Sequence, residues 1–131
     1  MRRAIQLASL AEGDTSPNPL VGAIVLNEFG NIVGEGYHSK AGQPHAEVEA
    51  LEQAGKRAKK GTLIVTLEPC CHQGRTPPCT HLIRDSGIST VVIGMKDPDR
   101  RVCGKGISFL RDSGLEVVEN VLEKEVEFQN R

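Results

Sequence analysis

Apolar positions along the chain change period several times, and the changes mark out its elements. Over residues 1–11, Met1, Ala4, Ile5, Ala8 and Ala11 recur at helical spacing and the pattern ends at Gly13, predicting a short opening helix with no N-cap residue ahead of it. Leu20–Leu26 and Asn31–Tyr37 read as strands joined into a hairpin by Asn27-Glu28-Phe29-Gly30. From Pro44 a second helix is signalled by the proline at its start and by Glu47 and Glu49 in its first turns. Val48, Leu51 and Ala54 form its apolar stripe, and Gly55 closes it. Thr62–Leu67 and Thr90–Met95 read as buried strands. Between them Thr76-Pro77-Pro78 leads into a short helix from Cys79 to Ser86, stopped by Gly87. Gly106–Ser113 reads as a helix, Leu115–Val118 as a last strand, and the remainder as a charged C-terminal segment.

An opening hairpin followed by strands alternating with helices predicts an α/β fold. The expected architecture is a three-layer α/β/α sandwich around a central mixed sheet of about five strands. In such sheets ligands bind beyond the carboxyl ends of the parallel strands, where Glu68–Cys79 and Lys96–Gly106 fall.

Composition narrows the classes of function. The 131 residues carry no internal repeat, linker or low-complexity tract, so residues 1–131 are expected to form a single domain. Lys+Arg 16 against Asp+Glu 17 leaves a net charge of −1, without the basic footprint of a nucleic-acid binder. Aromatics at 3%, with no Trp, offer few rings on which single strands could stack, so no nucleic-acid partner is expected. The longest apolar stretch, the seven residues Leu20–Leu26, is far short of a membrane span. Met1-Arg2-Arg3 looks like the start of a signal peptide, but Gln6, Ser9 and Glu12 interrupt the apolar run behind it and no cleavage-like site appears. A soluble cytoplasmic chain without a membrane partner is expected, its four cysteines serving as metal ligands or buried thiols rather than disulfides.

Cys70, Cys71, His72, Cys79 and His81 cluster within twelve positions, and His45 and Glu47 sit two apart at the start of a helix. Thiolate and imidazole together suit zinc, and a catalytic zinc keeps three protein ligands and one open position. His45, Cys70 and Cys79 make such a set, each at or near a helix N-terminus or strand end, where exposed N–H groups favour the thiolate. Glu47 cannot easily share that coordination face, but it can reach a water on the metal and shuttle its proton. A competing reading closes a structural zinc site with Cys70, Cys71, Cys79 and His81.

His45-Ala46-Glu47 followed by Pro69-Cys70 and a second cysteine resembles the signature of the zinc-dependent nucleobase and nucleoside deaminases. Thr15-Ser16-Pro17-Asn18-Pro19-Leu20-Val21-Gly22, Pro44–Val48 and Thr66–Cys79 narrow the resemblance to the deaminase domain of the riboflavin-biosynthesis deaminase/reductase family, over essentially the whole chain. Eight residues separate Cys70 from Cys79, and this Gly-Arg-Thr-Pro-Pro insert marks the riboflavin branch.

The resemblance implies a cytidine-deaminase-like fold, a Zn2+ cofactor, and hydrolytic deamination of 2,5-diamino-6-(5-phosphoribosylamino)pyrimidin-4-one. Glu47 is then the catalytic proton carrier. By the same resemblance Asn18 and His38 are expected near this phosphorylated pyrimidine, the backbone around Ala46 and the carbonyl after Glu68-Pro69 at its ring edge, and Arg75 as a candidate for its phosphate. Asp97-Pro98-Asp99-Arg100 departs from the family's usual Asp-Pro-Asn-Pro, so Asp99 keeps an acceptor at the substrate wall but loses an amide donor. The family's reductase domain has no counterpart in the chain, which implies a stand-alone deaminase or an excised domain, a homo-oligomer, and a separate reductase as possible partner. Cytidine, guanine and tRNA adenosine are the rival substrates.

Other features carry bland readings. Cys71 is expected as a buried small residue, His81 on a helix surface, Cys103 as a packed or semi-exposed thiol, and His72 as either a loop residue or a substrate contact. The run Lys56–Lys60 reads as a solvated turn. Gly104-Lys105-Gly106 reads as tight-turn glycines in preference to a phosphate loop.

Overall fold

The computed structural model describes residues 1–10, 20–38, 45–71, 78–98 and 103–130. Along the chain stand α1 (Arg2–Ser9), β1 (Gly22–Leu26), β2 (Ile32–Tyr37), α2 (Ala46–Ala54), β3 (Thr62–Leu67), α3 (Cys79–Asp85), β4 (Thr90–Met95), α4 (Lys105–Asp112), β5 (Glu116–Val118) and α5 (Glu123–Gln129). The strands form one mixed five-stranded sheet in the order β2-β1-β3-β4-β5. β1 runs antiparallel to both β2 and β3, while β3, β4 and β5 are parallel, with α3 and α4 as the crossovers that parallel neighbours require.

Side-chain alternation assigns the two faces. Ala23 and Val25 of β1, Leu63 and Val65 of β3, and Val91 and Ile93 of β4 point to one side, against Ala46, Ala50, Leu51 and Ala54 of α2, Ile83 of α3, and Ile107 and Leu110 of α4. Ile24 and Ile64 point to the other side, against Ala4 and Leu7 of α1. α5 lies on that second side, with Val126 over Gly94. This is the expected three-layer arrangement. Backbone lies on backbone where α2 crosses β2, since a Cβ at Gly34 or Gly36 would collide with the Ala50 or Ala46 carbonyl.

β2 is an edge strand with two of its outward backbone groups occupied. Glu35 N–H donates to Gln53 Oε1 at 2.7 Å and the Val33 carbonyl accepts from Arg57 at 3.3 Å, both from the α2 side. Such caps blunt an edge against further strand pairing.

Three details differ from the sequence reading. In α1 the buried face is Ala4, Leu7 and Ala8, with Ile5 only half-buried, because the helix crosses β1 along Ala4 and Ala8, both packed on Gly22. The described part of α2 starts at Ala46 with His45 as its N-cap, and its buried stripe is Ala46, Ala50, Leu51 and Ala54 together with Glu47, leaving Val48 half-buried. The charged C-terminal segment contains α5. Its signal is faint because Val126 is its one buried residue and Leu122, in the left-handed conformation, stands where a polar cap would be.

Candidate metal centre

Each of the three predicted metal donors is placed by the end of an element. His45 is the N-cap of α2, Cys79 is the first residue of α3 after Pro78, and Cys70 follows β3 by three residues. Parallel β3 and β4 release their carboxyl ends on the same side of the sheet, and the start of α3 is tied back there by Thr80 N–H donating to the Cys70 carbonyl at 3.2 Å. One ligand atom from each of His45, Cys70 and Cys79 lies within 4.8 Å of the others. His45 Nδ1 is 3.2 Å from Cys79 Sγ and 3.9 Å from Cys70 Sγ, and Cys79 N–H donates to Cys70 Sγ at 3.4 Å. Among the described residues this is the one His/Cys/Asp/Glu group with metal-binding geometry. Cys71 and His81 are not in it. Cys71 is half-buried rather than buried, and the His81 ring packs 4.7 Å from that of Phe109.

The electrostatics favour a divalent cation. The hydrogen bond from Cys79 holds the Cys70 thiol down to about 4, aided by His45. The same bond to Cys70, with burial, pushes Cys79 far upward. The pair therefore gives up one proton readily and keeps the second until a cation between the sulfurs offsets the added charge. His45 is raised, first by its bond to Cys70 and then by the charges of Glu47 and Cys70, against burial. Two soft sulfurs and an imidazole nitrogen are a donor set that fits zinc and leaves its fourth position open.

Glu47 lies in the first turn of α2, 4% exposed, and burial pushes it up to about 7. The charge of Cys70 adds to that rise, while Glu47's own backbone N–H and His45 oppose it. His38, at the end of β2 and 7% exposed, stands edge-on to His45 with ring centroids 5.3 Å apart. Ala46 is fully buried, and as the first residue of α2 its N–H stands ahead of the helix's own ladder. Asn18, Arg75 and Asp99, along with His72, lie outside the described residues.

In the sequence Glu68 is marked only as the neighbour of Pro69-Cys70. It is 7% exposed, and its carboxylate accepts four backbone N–H groups: Asp97 at 3.0 Å and Gly104 at 2.9 Å on Oε1, Gly106 at 2.9 Å and Ile107 at 3.2 Å on Oε2. The start of α4 thus takes its anion from within the protein, with the Gly104 and Gly106 N–H groups committed to Glu68. The acidic residue directly after an apolar strand was the available signal. Far from this site, Lys56, Arg57, Lys59 and Lys60 line a cleft of about 400 Å³ beside Phe29, near the amino end of β3. Cys103 is exposed, and all four cysteines are free.

Residues 1–95 match the cytidine and deoxycytidylate deaminase zinc-binding region. The chain belongs to this family. It is 56% identical over 124 residues to the riboflavin biosynthesis protein RibD of Synechocystis sp., covering 95% of this chain and 33% of that protein. It is 47% identical over 131 residues to the diaminohydroxyphosphoribosylamino-pyrimidine deaminase of Buchnera aphidicola subsp. Schizaphis graminum, covering 100% of this chain and 88% of that one. A crystal structure of a Thermotoga maritima diaminohydroxyphosphoribosylaminopyrimidine deaminase/5-amino-6-(5-phosphoribosylamino)uracil reductase superposes with a TM-score of 0.93 at 52% identity, over 99% of this chain and 38% of that one. The chain thus spans about a third of the RibD proteins it matches and most of the Buchnera deaminase. The zinc-binding family and the convergent His45, Cys70 and Cys79 agree on the cofactor. Among the described residues no helix is long and apolar enough to cross a membrane.

Proposed function

We propose that residues 1–131 act as one deaminase domain that hydrolyses 2,5-diamino-6-(5-phosphoribosylamino)pyrimidin-4-one to the corresponding 5-amino-uracil ribosylamine phosphate and ammonia, in riboflavin biosynthesis. The observation that carries the reading is a buried carboxylate, Glu47, raised to about 7 beside three converging metal donors. A group with that affinity can both take and return a proton near neutral pH. The likeness to the Buchnera deaminase, across 88% of its length, supports the choice of substrate.

Zinc, when bound by His45, Cys70 and Cys79, supplies Lewis-acid activation of water at neutral pH. Glu47 would take one proton from the attacking water and give it to the ring nitrogen next to the carbon bearing the amine. It then carries the second proton to the departing amine. The water oxygen stays on the ring as the new carbonyl, the carbon–nitrogen bond breaks, and ammonia leaves, so atoms and charge balance. His38 and the Ala46 N–H border the ring, and Asn18, Arg75 and Asp99 complete the substrate wall by their place in the family pattern. The product is a substrate for a reductase such as the second activity of the Thermotoga protein, carried on the same or a separate polypeptide, and the deaminase works as a homo-oligomer.

Ammonia release by the zinc-loaded chain, compared on the freshly made pyrimidine phosphate, cytidine and guanine, tests the assignment. Release from the pyrimidine phosphate alone is expected. Release only from cytidine or guanine would overturn it.

A further inference from the structure

We infer that Glu68 is a positioning residue for the metal centre and its substrate wall, acting as a built-in anion that locks the exits of β3 and β4 to the start of α4. The part of this inference that concerns turnover rests on the deaminase reading, while the part that concerns metal retention does not.

The geometry makes Glu68 a four-way junction. Its own N–H continues the parallel ladder by donating to the Met95 carbonyl at 2.9 Å. Its side chain then turns inward and gathers Asp97, just past β4, and Gly104, Gly106 and Ile107, at the start of α4, on one carboxylate. Among the described residues each oxygen accepts two well-formed bonds. N–H groups at a helix start favour a negative charge, which explains how a carboxylate is tolerated in this interior.

Directly after Glu68 the chain enters the site itself. Pro69 is fully buried, and its carbonyl rests so closely on Gly106 that a Cβ there would collide with it. Cys70 comes next, held from its other side by Thr80 N–H at 3.2 Å and Cys79 N–H at 3.4 Å. The Pro69-Cys70 backbone is therefore held between α3 on one side and the Glu68–α4 junction on the other, with Cys79 N–H donating to the Cys70 sulfur. Loss of the carboxylate would free the α4 side of the clamp and leave four N–H groups without their acceptor. Outer partners that orient metal ligands typically change metal affinity or activity by about 10–100-fold when removed.

The test compares wild type, Glu68→Ala and Glu68→Gln as full chains loaded with zinc. Zinc loss to a chelator is followed with and without added formate, alongside kcat and KM. Glu68→Ala is expected to lose zinc about ten-fold faster or more and to show a raised KM. Formate, a small carboxylate that the vacated N–H cradle can accept, is expected to restore both; chloride is not. Glu68→Gln keeps the volume but turns an amide donor toward two of the N–H groups, so it is expected to lose zinc faster without formate rescue. It decides the matter if the alanine variant fails to fold. Wild-type zinc retention and KM in Glu68→Gln, or an alanine variant that formate does not repair, would overturn the inference. If the wild type released no ammonia from the pyrimidine phosphate, the deaminase reading would fail and Glu68 would still be judged on zinc loss.

Discussion

Glu47 is useful because of where its carboxylate is buried. The folded state raises its proton affinity from the ordinary 4.5 to about 7, so between those values the native chain holds a proton that the unfolded chain has released. Stability from this group is therefore fully present below about pH 4.5 and lost as pH rises through 7, a swing of about 3 kcal/mol. Cys70, held down to about 4, acts in the opposite direction, so the Glu47 part is read from a difference in which the thiol pair is common. In metal-stripped protein, Glu47→Gln should gain stability relative to wild type by about 3 kcal/mol between about pH 4 and about pH 8, measured by urea unfolding. A difference that does not change with pH would mean that burial does not hold Glu47 protonated. Its neighbour His45 has the simpler role of a donor, and His45→Ala should lose zinc.

At the scale of elements, the decisive contacts are places where one backbone meets another. Gly106 is one, because the Pro69 carbonyl occupies the space a side chain would need. Gly106→Ala should cost about 1–3 kcal/mol by overpacking, seen in thermal unfolding, and should loosen zinc because Pro69 adjoins Cys70. An alanine variant with wild-type melting and metal retention would refute that coupling. The elements themselves are largely legible in the sequence. β1, β3 and β4 carry nearly unbroken apolar runs, and Gly30 and Gly87 take the positive φ values, 87° and 88°, that turns demand. α5 is not legible because one buried Val126 makes no stripe. The His45/Cys70/Cys79 donor set is legible because its chemistry resides in side chains. The Glu68 junction is not, because its partners are backbone N–H groups 29 to 39 positions away and any residue but proline can supply those.

Across the whole molecule, the basic cleft of Lys56–Lys60 and the metal centre lie at opposite ends of β3. The metal centre lies past the carboxyl end of β3, whereas Lys56–Lys60 border its amino end, about 20 Å away for six residues of strand. With a net charge of −1, no broad positive field draws a phosphate ester to the site, so capture depends on local groups. Arg75→Ala should raise KM for the pyrimidine phosphate about ten-fold while changing kcat little, as expected for one charge-assisted contact made equally in ground and transition states. An unchanged KM would remove Arg75 from the phosphate site.

In the proposed reaction three donors hold the metal, and Glu47, without holding it, moves the protons. Paired measurement of bound zinc and of ammonia release from the pyrimidine phosphate, in wild type and Glu47→Gln, tests this directly. Equal zinc is expected in both proteins, with a loss of turnover in the variant of at least about 100-fold. A Glu47→Gln protein that keeps its zinc and still releases ammonia at the wild-type rate would contradict it.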